Sequence, residues 1–248
     1  MQKLIVAVLF AIALPSFGQC IDKWNYDDAS GKGPKDWYKL DRSWGVCKTG
    51  GRQSPINITG STRKLTGPLA FNKVKSTFTV NNKGEKLEVT VSPDWTLHWN
   101  GQEATLQEFH VHVPAEHTYQ GVRHGGEIHF VYALPSGAVA VGVWLQAGPR
   151  GTPPNPTLRK IIAVKPASCR NAPQHSNEQI AMLDFLLNPQ RYVTYEGSLT
   201  TPGCTEDVTF AIALDPLVVP AEQIQALAIL PNLRLGNARP LQRTRAKK

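Results

Sequence analysis

Alternating apolar and polar positions dominate the chain and predict a protein built mainly from β-strands. Two alternating stretches, 74–80 and 87–91, flank an Asn-Asn-Lys-Gly turn and together predict a hairpin. The nearly continuous apolar run at 139–145 predicts a strand buried on both faces. The predicted strands are 74–80, 87–91, 96–99, 106–113, 125–134, 139–145 and 208–214.

Helical patterns are scarce. A Ser-Asn-Glu-Gln capping box begins at Ser176 and is followed by Ile180, Leu183 and Leu187 at helical spacing, which predicts a helix there. A second short helix is predicted at 221–229. Residues 20–50 are rich in aromatic residues and are predicted to form an irregular segment that wraps the surface. Loops are predicted at 148–156 and 195–204. No repeat or linker divides the chain, so the predicted fold is one mixed α+β, mainly β domain.

The N-terminus has the pattern of a cleavable signal peptide. Lys3 precedes an apolar core at 4–14 that is too short to span a membrane, and small residues at Ser16 and Gly18 predict cleavage after Gly18. The chain therefore divides into a signal peptide, 1–18, and a mature domain, 19–248. This organisation predicts a secreted or periplasmic protein. A lipoprotein site at Cys20 is the alternative, although the residues before it form a poor lipobox.

Charge and cysteine content narrow the picture further. The net charge is +8, and five basic residues lie among the last ten. No nucleic-acid motif accompanies them, so the basic tail is interpreted as solvated and no nucleic-acid partner is expected. An exported protein can keep disulfides, and the four cysteines allow three pairings.

Candidate chemistry is concentrated on the strands at 106–113 and 125–134. Residues two apart on a strand share a face, so His110 and His112 point the same way, as do Glu127 and His129. If the two strands are neighbours, three imidazoles converge. Three neutral nitrogen ligands without a fourth protein ligand characterise an open catalytic zinc site. The alternative for a His-x-His pair alone is two histidines on a half-exposed face.

These histidines belong to a set of motifs that resembles the α-class carbonic anhydrases over about residues 24–242. Six motifs occur in the matching order and spacing. They are Gln53-Ser54-Pro55-Ile56-Asn57-Ile58, Phe109-His110-Val111-His112, Ala115-Glu116-His117-Thr118, Glu127-Ile128-His129, Gly197-Ser198-Leu199-Thr200-Thr201-Pro202 and Asn237-Ala238-Arg239-Pro240. The resemblance implies one large central, twisted, mostly antiparallel sheet with a few short surface helices, and an active site in a conical cleft.

The resemblance also implies the reaction, a reversible hydration of CO₂ to bicarbonate and a proton by attack of zinc-bound hydroxide. His110, His112 and His129 would hold the Zn²⁺ cofactor; carbonic anhydrases are themselves the standard example of such a site. Thr200 would orient the hydroxide and pass its own hydrogen bond to Glu116.

Two acidic residues would support the ligands from behind. Glu127 matches the family's acceptor for His129, whereas Glu108 stands where the family usually has Gln. We expect the extra negative charge at Glu108 to raise the pKa of the zinc-bound water slightly. The residues that would contact the substrate are Thr200, Thr201, Val131, Leu199 and Val208.

A proton must leave the site in each turnover, and many family members use a histidine at the cleft rim for this step. No histidine occupies that stretch here, and Glu85 lies nearest the position. An ordinary glutamate is a poor relay at pH 7, so we expect proton transfer to limit the rate.

The resemblance further implies a disulfide between Cys47 and Cys204, as in exported family members. Cys20 and Cys169 form a possible second pair. Anions and sulfonamides are the expected inhibitors, and the oligomeric state is not predicted. The alternative function is a non-catalytic binding or storage protein on the same fold. Relatives of that kind typically lose a zinc ligand or the Thr–Glu pair, and all five residues are present here.

Overall fold

The computed structural model describes residues 23–60, 62–64, 68–228 and 236–243. The predicted signal peptide, Cys20 and the last five residues of the basic tail lie outside these ranges. Fifteen strands are described: β1 Asn57–Ile58, β2 Arg63–Lys64, β3 Ala70–Phe71, β4 Ser76–Asn82, β5 Leu87–Ser92, β6 Thr96–Trp99, β7 Gln102–His112, β8 Thr118–Tyr119, β9 Val122–Arg123, β10 Gly126–Ala133, β11 Ala138–Ala147, β12 Gln174–Ile180, β13 Tyr192–Ser198, β14 Glu206–Ala213 and β15 Leu217–Val219. The α-helices are short: α1 Trp37–Leu40, α2 Val46–Thr49, α3 Pro156–Ala163 and α4 Ala221–Ala228. Single 3₁₀ turns occur at Asp28–Ser30, Arg42–Trp44 and Met182–Asp184.

A 12-stranded sheet organises the molecule, with the order β12-β4-β5-β7-β10-β11-β14-β13-β2 along its main path. Most pairs are antiparallel, and β11 pairs in parallel with β14 and β15. Strands β1, β8 and β9 form a separate small sheet. The predicted fold class, a mainly β single domain with a large, mostly antiparallel sheet and a few short helices, is therefore confirmed.

The two faces of the central strands have different roles. Phe109 and Val111 of β7, with Ile128 and Phe130 of β10, enter the main hydrophobic core on one face. The alternate residues of both strands, the histidines and glutamates, therefore lie on the opposite face. There they border a second, smaller apolar cluster that includes Phe210. The site is thus built on the face of the sheet opposite the main hydrophobic core.

The N-terminal segment wraps the sheet and is held by aromatic packing, as predicted for 20–50. Trp24, Tyr26 and Trp37 form a triangle of edge-to-face contacts with ring centroids 5.3–5.7 Å apart. Trp37 is fully buried, and its indole Nε1 donates to the carbonyl of Asn25. The segment also contains the short helices α1 and α2, which the sequence did not indicate.

The structure differs from the predicted elements at three places. Residues 176–187 do not form the predicted helix: Gln174–Ile180 pair as strand β12 with the edge strand β4 and bury Ile180, and only a single 3₁₀ turn, Met182–Asp184, follows. The helix α3 was not predicted, although Pro156 stands at its first turn and the side chain of Asn155 caps the N–H of Leu158. The stretch at 195–204 was predicted as a loop, but its first part continues strand β13.

The hairpin at β4 and β5, the ligand strands β7 and β10, the buried strand β11 and the helix α4 are confirmed. Within the part of the chain that the structure describes, no helix is both long and apolar enough to cross a membrane.

Candidate metal centre and active site

Strands β7 and β10 are antiparallel neighbours, and their register brings the three histidines together. His129 is paired with His110, and Glu127 is paired with His112. The imidazole centroids lie 4.7–5.5 Å apart. One ring nitrogen from each histidine lies within 4.8 Å of the others, and all three residues are buried. The convergence predicted from two His-containing strands is therefore present in the fold.

The second nitrogen of each ring shows which nitrogen remains available. His112 Nδ1 lies 2.7 Å from the backbone oxygen of Asn237, which can only accept, so Nδ1 carries the proton and Nε2 keeps its lone pair. His110 Nδ1 and His129 Nε2 each face a carboxylate at 2.9 Å and donate to it in the same way. His112 Nε2 is buried and has no hydrogen-bond partner among the described residues. Three lone pairs therefore face one small space.

Burial keeps two of these rings in the form that binds metals. Desolvation holds the pKa of His110 and of His112 well below the ordinary value. For His129 burial acts in the same direction, but the charge and hydrogen bond of Glu127 outweigh it and raise the pKa. The surroundings of His129 therefore favour its neutral form less than those of His110 and His112 do. A metal ion bound at Nδ1 would occupy the position that a second ring proton takes in the charged form.

Glu127 is the most heavily hydrogen-bonded carboxylate near the site. Its Oε1 accepts from His129 Nε2 at 2.9 Å and from His117 Nδ1 at 2.7 Å. Its Oε2 accepts from the backbone N–H groups of Glu116 and His117. Burial opposes ionisation, but His117 and His129 hold the pKa of Glu127 well below its usual range. His117 Nε2 is then left to accept from the hydroxyl of Tyr195, at 2.5 Å.

Gly142 leaves room for this arrangement. It is paired with His129 across β10 and β11. A Cβ atom there would lie 3.0 Å from Glu127 Oε1 and 2.5 Å from Ile212 Cδ1. Any larger residue would displace the carboxylate or the isoleucine behind it, so glycine is needed for the close approach.

Glu108 is the carboxylate that accepts the hydrogen bond of His110, as Glu127 does for His129. Both of its oxygens lie 2.9 Å from His110 Nδ1. Its side chain is 16% exposed and contacts Lys86 Nζ at 3.2 Å. Burial raises the pKa of Glu108 above the ordinary value, although Lys86 opposes the shift.

Glu116 and Thr200 border the same space as the histidines. Glu116 Oε2 lies 3.4 Å from His112 Nε2 and 3.8 Å from His129 Nδ1. Its Oε1 accepts the backbone N–H of Arg239 at 2.8 Å. Burial raises the pKa of Glu116 to about 7, and the Thr200 side chain and the Arg239 N–H both act against that rise. Thr200 is itself buried, so the pair is shielded from bulk water.

The apolar residues predicted to contact substrate lie on or directly after strands β10, β13 and β14 of the large sheet, and their role stays a prediction. Strand pairing places Val131 beside Ala140, and Ala140 beside Phe210. Val208 is buried in the same small apolar cluster. Leu199 and Thr201 flank Thr200 in the chain, and Leu199 keeps 37% of its surface exposed.

The rim and the N-terminal wrap complete the site. Glu85 lies in the turn between β4 and β5, where its backbone oxygen accepts from Asn237 Nδ2 at 3.1 Å. The predicted Cys47–Cys204 disulfide is present, and it joins the wrap to the loop that follows Thr200. Cys169 is also disulfide-bonded, while the proposed partner Cys20 lies outside the described residues, so that pair stays a prediction.

Asn237 is a site residue to which the sequence reasoning assigned no role. Besides accepting from His112, it accepts from the N–H of Val113 at 2.8 Å and donates to the oxygen of Val111 at 2.9 Å. Arg239, two residues on, donates to the oxygen of Ser54. The only signal was their shared Asn-x-Arg-Pro motif. Lys86 was missed as well, because its contact with Glu108 depends on how two strands pack.

Comparison with known proteins finds carbonic anhydrases by family model, by sequence and by structure. The family model described as eukaryotic-type carbonic anhydrase matches residues 32–247. A carbonic anhydrase of Pectobacterium carotovorum is 31% identical over 242 residues, which cover 97% of this chain and 95% of that protein. The α-carbonic anhydrase of Thermovibrio ammonificans, solved with sulfanilamide, superimposes with a TM-score of 0.82 at 29% identity, covering 90% of this chain and 96% of that one.

One similar structure carries a different name. Dioscorin, solved in complex with ascorbate, superimposes with a TM-score of 0.80 at 26% identity, covering 90% of this chain and 95% of that one.

The chain therefore belongs to the eukaryotic-type, or α-class, carbonic anhydrase family. It is an enzyme of the lyase class, and family and fold both support hydration of CO₂ as its general activity.

Proposed function

We propose that the protein catalyses the zinc-dependent, reversible hydration of CO₂ to bicarbonate and a proton. The observation that carries the proposal is the convergence of three imidazole nitrogens within 4.8 Å, each on a ring whose other nitrogen is hydrogen-bonded. Such partners fix the tautomer and direction of metal-binding histidines.

The donor set fits zinc. His110 Nε2, His112 Nε2 and His129 Nδ1 supply three neutral nitrogens on rigid strands, and tetrahedral zinc accepts three such ligands while keeping one position open. His112 Nε2 is buried without a hydrogen-bond partner among the described residues, and coordination of a metal ion would use its lone pair. When bound, the ion supplies a water acidified to a pKa near 7, an effect for which carbonic anhydrase is the standard example.

Thr200 and Glu116 orient the nucleophile. Glu116, held by the N–H of Arg239, accepts a hydrogen bond from the hydroxyl of Thr200 and so leaves the Thr200 oxygen as an acceptor for a second hydrogen bond. A nearby dication favours the ionised form of Glu116, which this role requires, against the burial that raises its pKa to about 7. Thr200 would then accept the hydrogen bond of a hydroxide held at the metal position and would leave a lone pair of that hydroxide free to face the substrate.

CO₂ is linear and apolar, so its site needs shape more than hydrogen bonds. Val131, Leu199 and Val208 supply the apolar wall, with Thr200 and Thr201 on the polar side. Because the Thermovibrio ammonificans relative was solved with sulfanilamide, we propose that sulfonamides, and simple anions, compete for the same position.

We further propose that the protein is exported to a periplasm or the medium. The predicted signal peptide at 1–18 and the Cys47–Cys204 disulfide, of a kind that persists in oxidising compartments, support this location. N-terminal sequencing of the mature protein should begin at Gln19; an intact Met1 would contradict it.

A second candidate is a non-catalytic binding or storage role, favoured by the similarity to dioscorin in its ascorbate complex. The intact set of three histidines, Thr200 and Glu116 supports catalysis instead. A protein that binds small organic ligands but hydrates no CO₂ with zinc present would support the second role.

The test pairs two His→Ala variants. His129→Ala removes a ligand, whereas His98→Ala removes an exposed histidine on β6, away from the site. Metal analysis and stopped-flow CO₂ hydration should show about one zinc per chain and activity in the wild type and in His98→Ala. His129→Ala, or chelator treatment of the wild type, should abolish both. Activity that survives zinc removal would overturn the proposal.

A further inference from the structure

A lysine lies behind one of the three ligand histidines. Lys86, at the end of the β4–β5 turn, places Nζ 3.2 Å from Glu108 Oε1 and 3.4 Å from Glu88 Oε2. The three side chains are only 17%, 16% and 21% exposed, respectively. Lys86 therefore joins two largely buried carboxylates rather than forming a solvated surface pair.

Glu108 needs such an anchor more than other acceptors near the site do. The carbonyl that receives the proton of His112 belongs to the backbone and cannot rotate away. Glu108 is a side chain at the edge of the buried region, and it receives no backbone N–H bond among those described. The contacts recorded for its carboxylate are His110 Nδ1 and Lys86 Nζ. Lys86 is thus the partner of this carboxylate, besides the ring, among the contacts described.

Glu88 makes the lysine more important. In the register of β5 and β7, Glu88 is paired with His110 itself. Lys86 is the cation that contacts both Glu88 and Glu108. Without it, no described cation would contact Glu108, and the negative charge of Glu88 would favour movement of the Glu108 carboxylate away from the ring. The outer lysine, Lys83, contacts Glu88 at 3.2 Å but has no contact with Glu108 among the interactions described.

We propose that Lys86 is a positioning residue for the metal centre. It holds Glu108 against His110 Nδ1, and thereby keeps His110 in the tautomer and orientation that present Nε2 to the ion. The inference rests on the proposed function in requiring that the three histidines bind zinc. It concerns how firmly the ion is held, and it assigns Lys86 no contact with substrate.

The test measures zinc release from the holoenzyme to an excess of chromogenic chelator at pH 7. Loss of groups that support metal ligands typically costs about 10–100-fold in metal affinity. Because Lys86 acts through Glu108, Lys86→Met should release zinc about tenfold faster than the wild type. Lys86→Arg should restore slow release. Lys83→Met, the matched control, should release zinc as slowly as the wild type.

A second background separates positioning from general stability. The amide of Glu108→Gln accepts from His110 Nδ1 without needing a cation, so adding Lys86→Met to Glu108→Gln should change the release rate less than about twofold. Equal acceleration in both backgrounds would overturn the proposal, as would unchanged or slower release in Lys86→Met alone. A wild type that holds no zinc would instead refute the proposed function, and the two failures are therefore distinct.

Discussion

Two glutamates support two of the ligand histidines, and their surroundings differ. Glu127 is fully buried and receives four N–H donors, two from backbone and two from imidazoles. Glu108 lies at the edge of the buried region. Its carboxylate accepts from His110 Nδ1 and contacts Lys86 Nζ, and it receives no backbone N–H bond among those described. Glu127 is held by several hydrogen bonds besides the one to His129, whereas the position of Glu108 depends on its ion pair with Lys86. We infer that the ligand strands tolerate change at the rim and not in the interior.

The largest difference should come from replacing each carboxylate by an amide. In Glu127→Gln, either orientation of the amide turns its NH₂ group towards two N–H donors. Breaking such a buried network costs about 3–5 kcal/mol of unfolding free energy. Glu108→Gln should cost less than about 1 kcal/mol, since burial disfavours the charged carboxylate, the amide oxygen still accepts from His110, and Lys86 keeps Glu88 as a partner. Urea unfolding of the two variants measures both values, and equal losses would contradict the comparison.

The same two residues should give opposite pH dependences in the metal-free protein. The folded-state pKa of Glu127 is depressed, so its contribution is present above the unfolded value of about 4.5 and is lost as the pH falls below it. The folded-state pKa of Glu108 is raised, so the contribution of Glu108 to stability decreases as the pH rises from about 4.5 through the folded-state pKa.

Unfolding free energies measured from pH 3 to 7 check these signs against the amide variants. The advantage of the wild type over Glu127→Gln should grow with pH. Relative to Glu108→Gln, the wild type should weaken over the same range. Two slopes of the same sign would show that the two carboxylates do not differ in this way.

A third prediction concerns Glu85, in the β4–β5 turn at the cleft rim, and the transfer of a proton from the site to buffer. Glu85 occupies the turn where a histidine relay is expected, so imidazole buffer should raise kcat of the wild type severalfold while leaving kcat/KM unchanged. Glu85→His should raise kcat in weak buffer and reduce the response to imidazole. If kcat is indifferent to buffer concentration in the wild type, proton transfer is not limiting.

The smallest effect concerns the charge of Glu108 in the zinc enzyme. Glu108→Gln should lower the midpoint of the pH dependence of kcat/KM by about half a pH unit or less, because Lys86 already offsets most of the charge. An unchanged profile would show that Glu108 positions His110 without tuning the bound water.

The strands that carry the site were predictable because their patterns are strong and local. His110 and His112 alternate with buried Phe109 and Val111, so the face they share follows from the period of the strand alone. The register that brings His129 opposite His110 cannot be read from the period of one strand, because it depends on how two strands pair. Its prediction relied on the family resemblance.

The predictions failed where tertiary contacts override the local sequence pattern. Ser176 begins an apparent capping box, yet the free edge of β4 takes this segment as a strand and leaves Leu183 and Leu187 exposed. Asn237 lies 125 residues from His112, whose proton its backbone oxygen accepts. A backbone acceptor leaves no trace in residue type, so neither propensity nor composition could have identified it.

The central claim is that His110 Nε2, His112 Nε2 and His129 Nδ1 bind one zinc ion. A crystal structure of the zinc-loaded protein, with anomalous data collected on both sides of the zinc absorption edge, tests this directly. We predict a single strong anomalous peak about 2.0–2.1 Å from each of these three nitrogens, with a non-protein oxygen at the fourth position. A peak elsewhere, or an ion held by a protein carboxylate in place of one of the three nitrogens, would contradict the account.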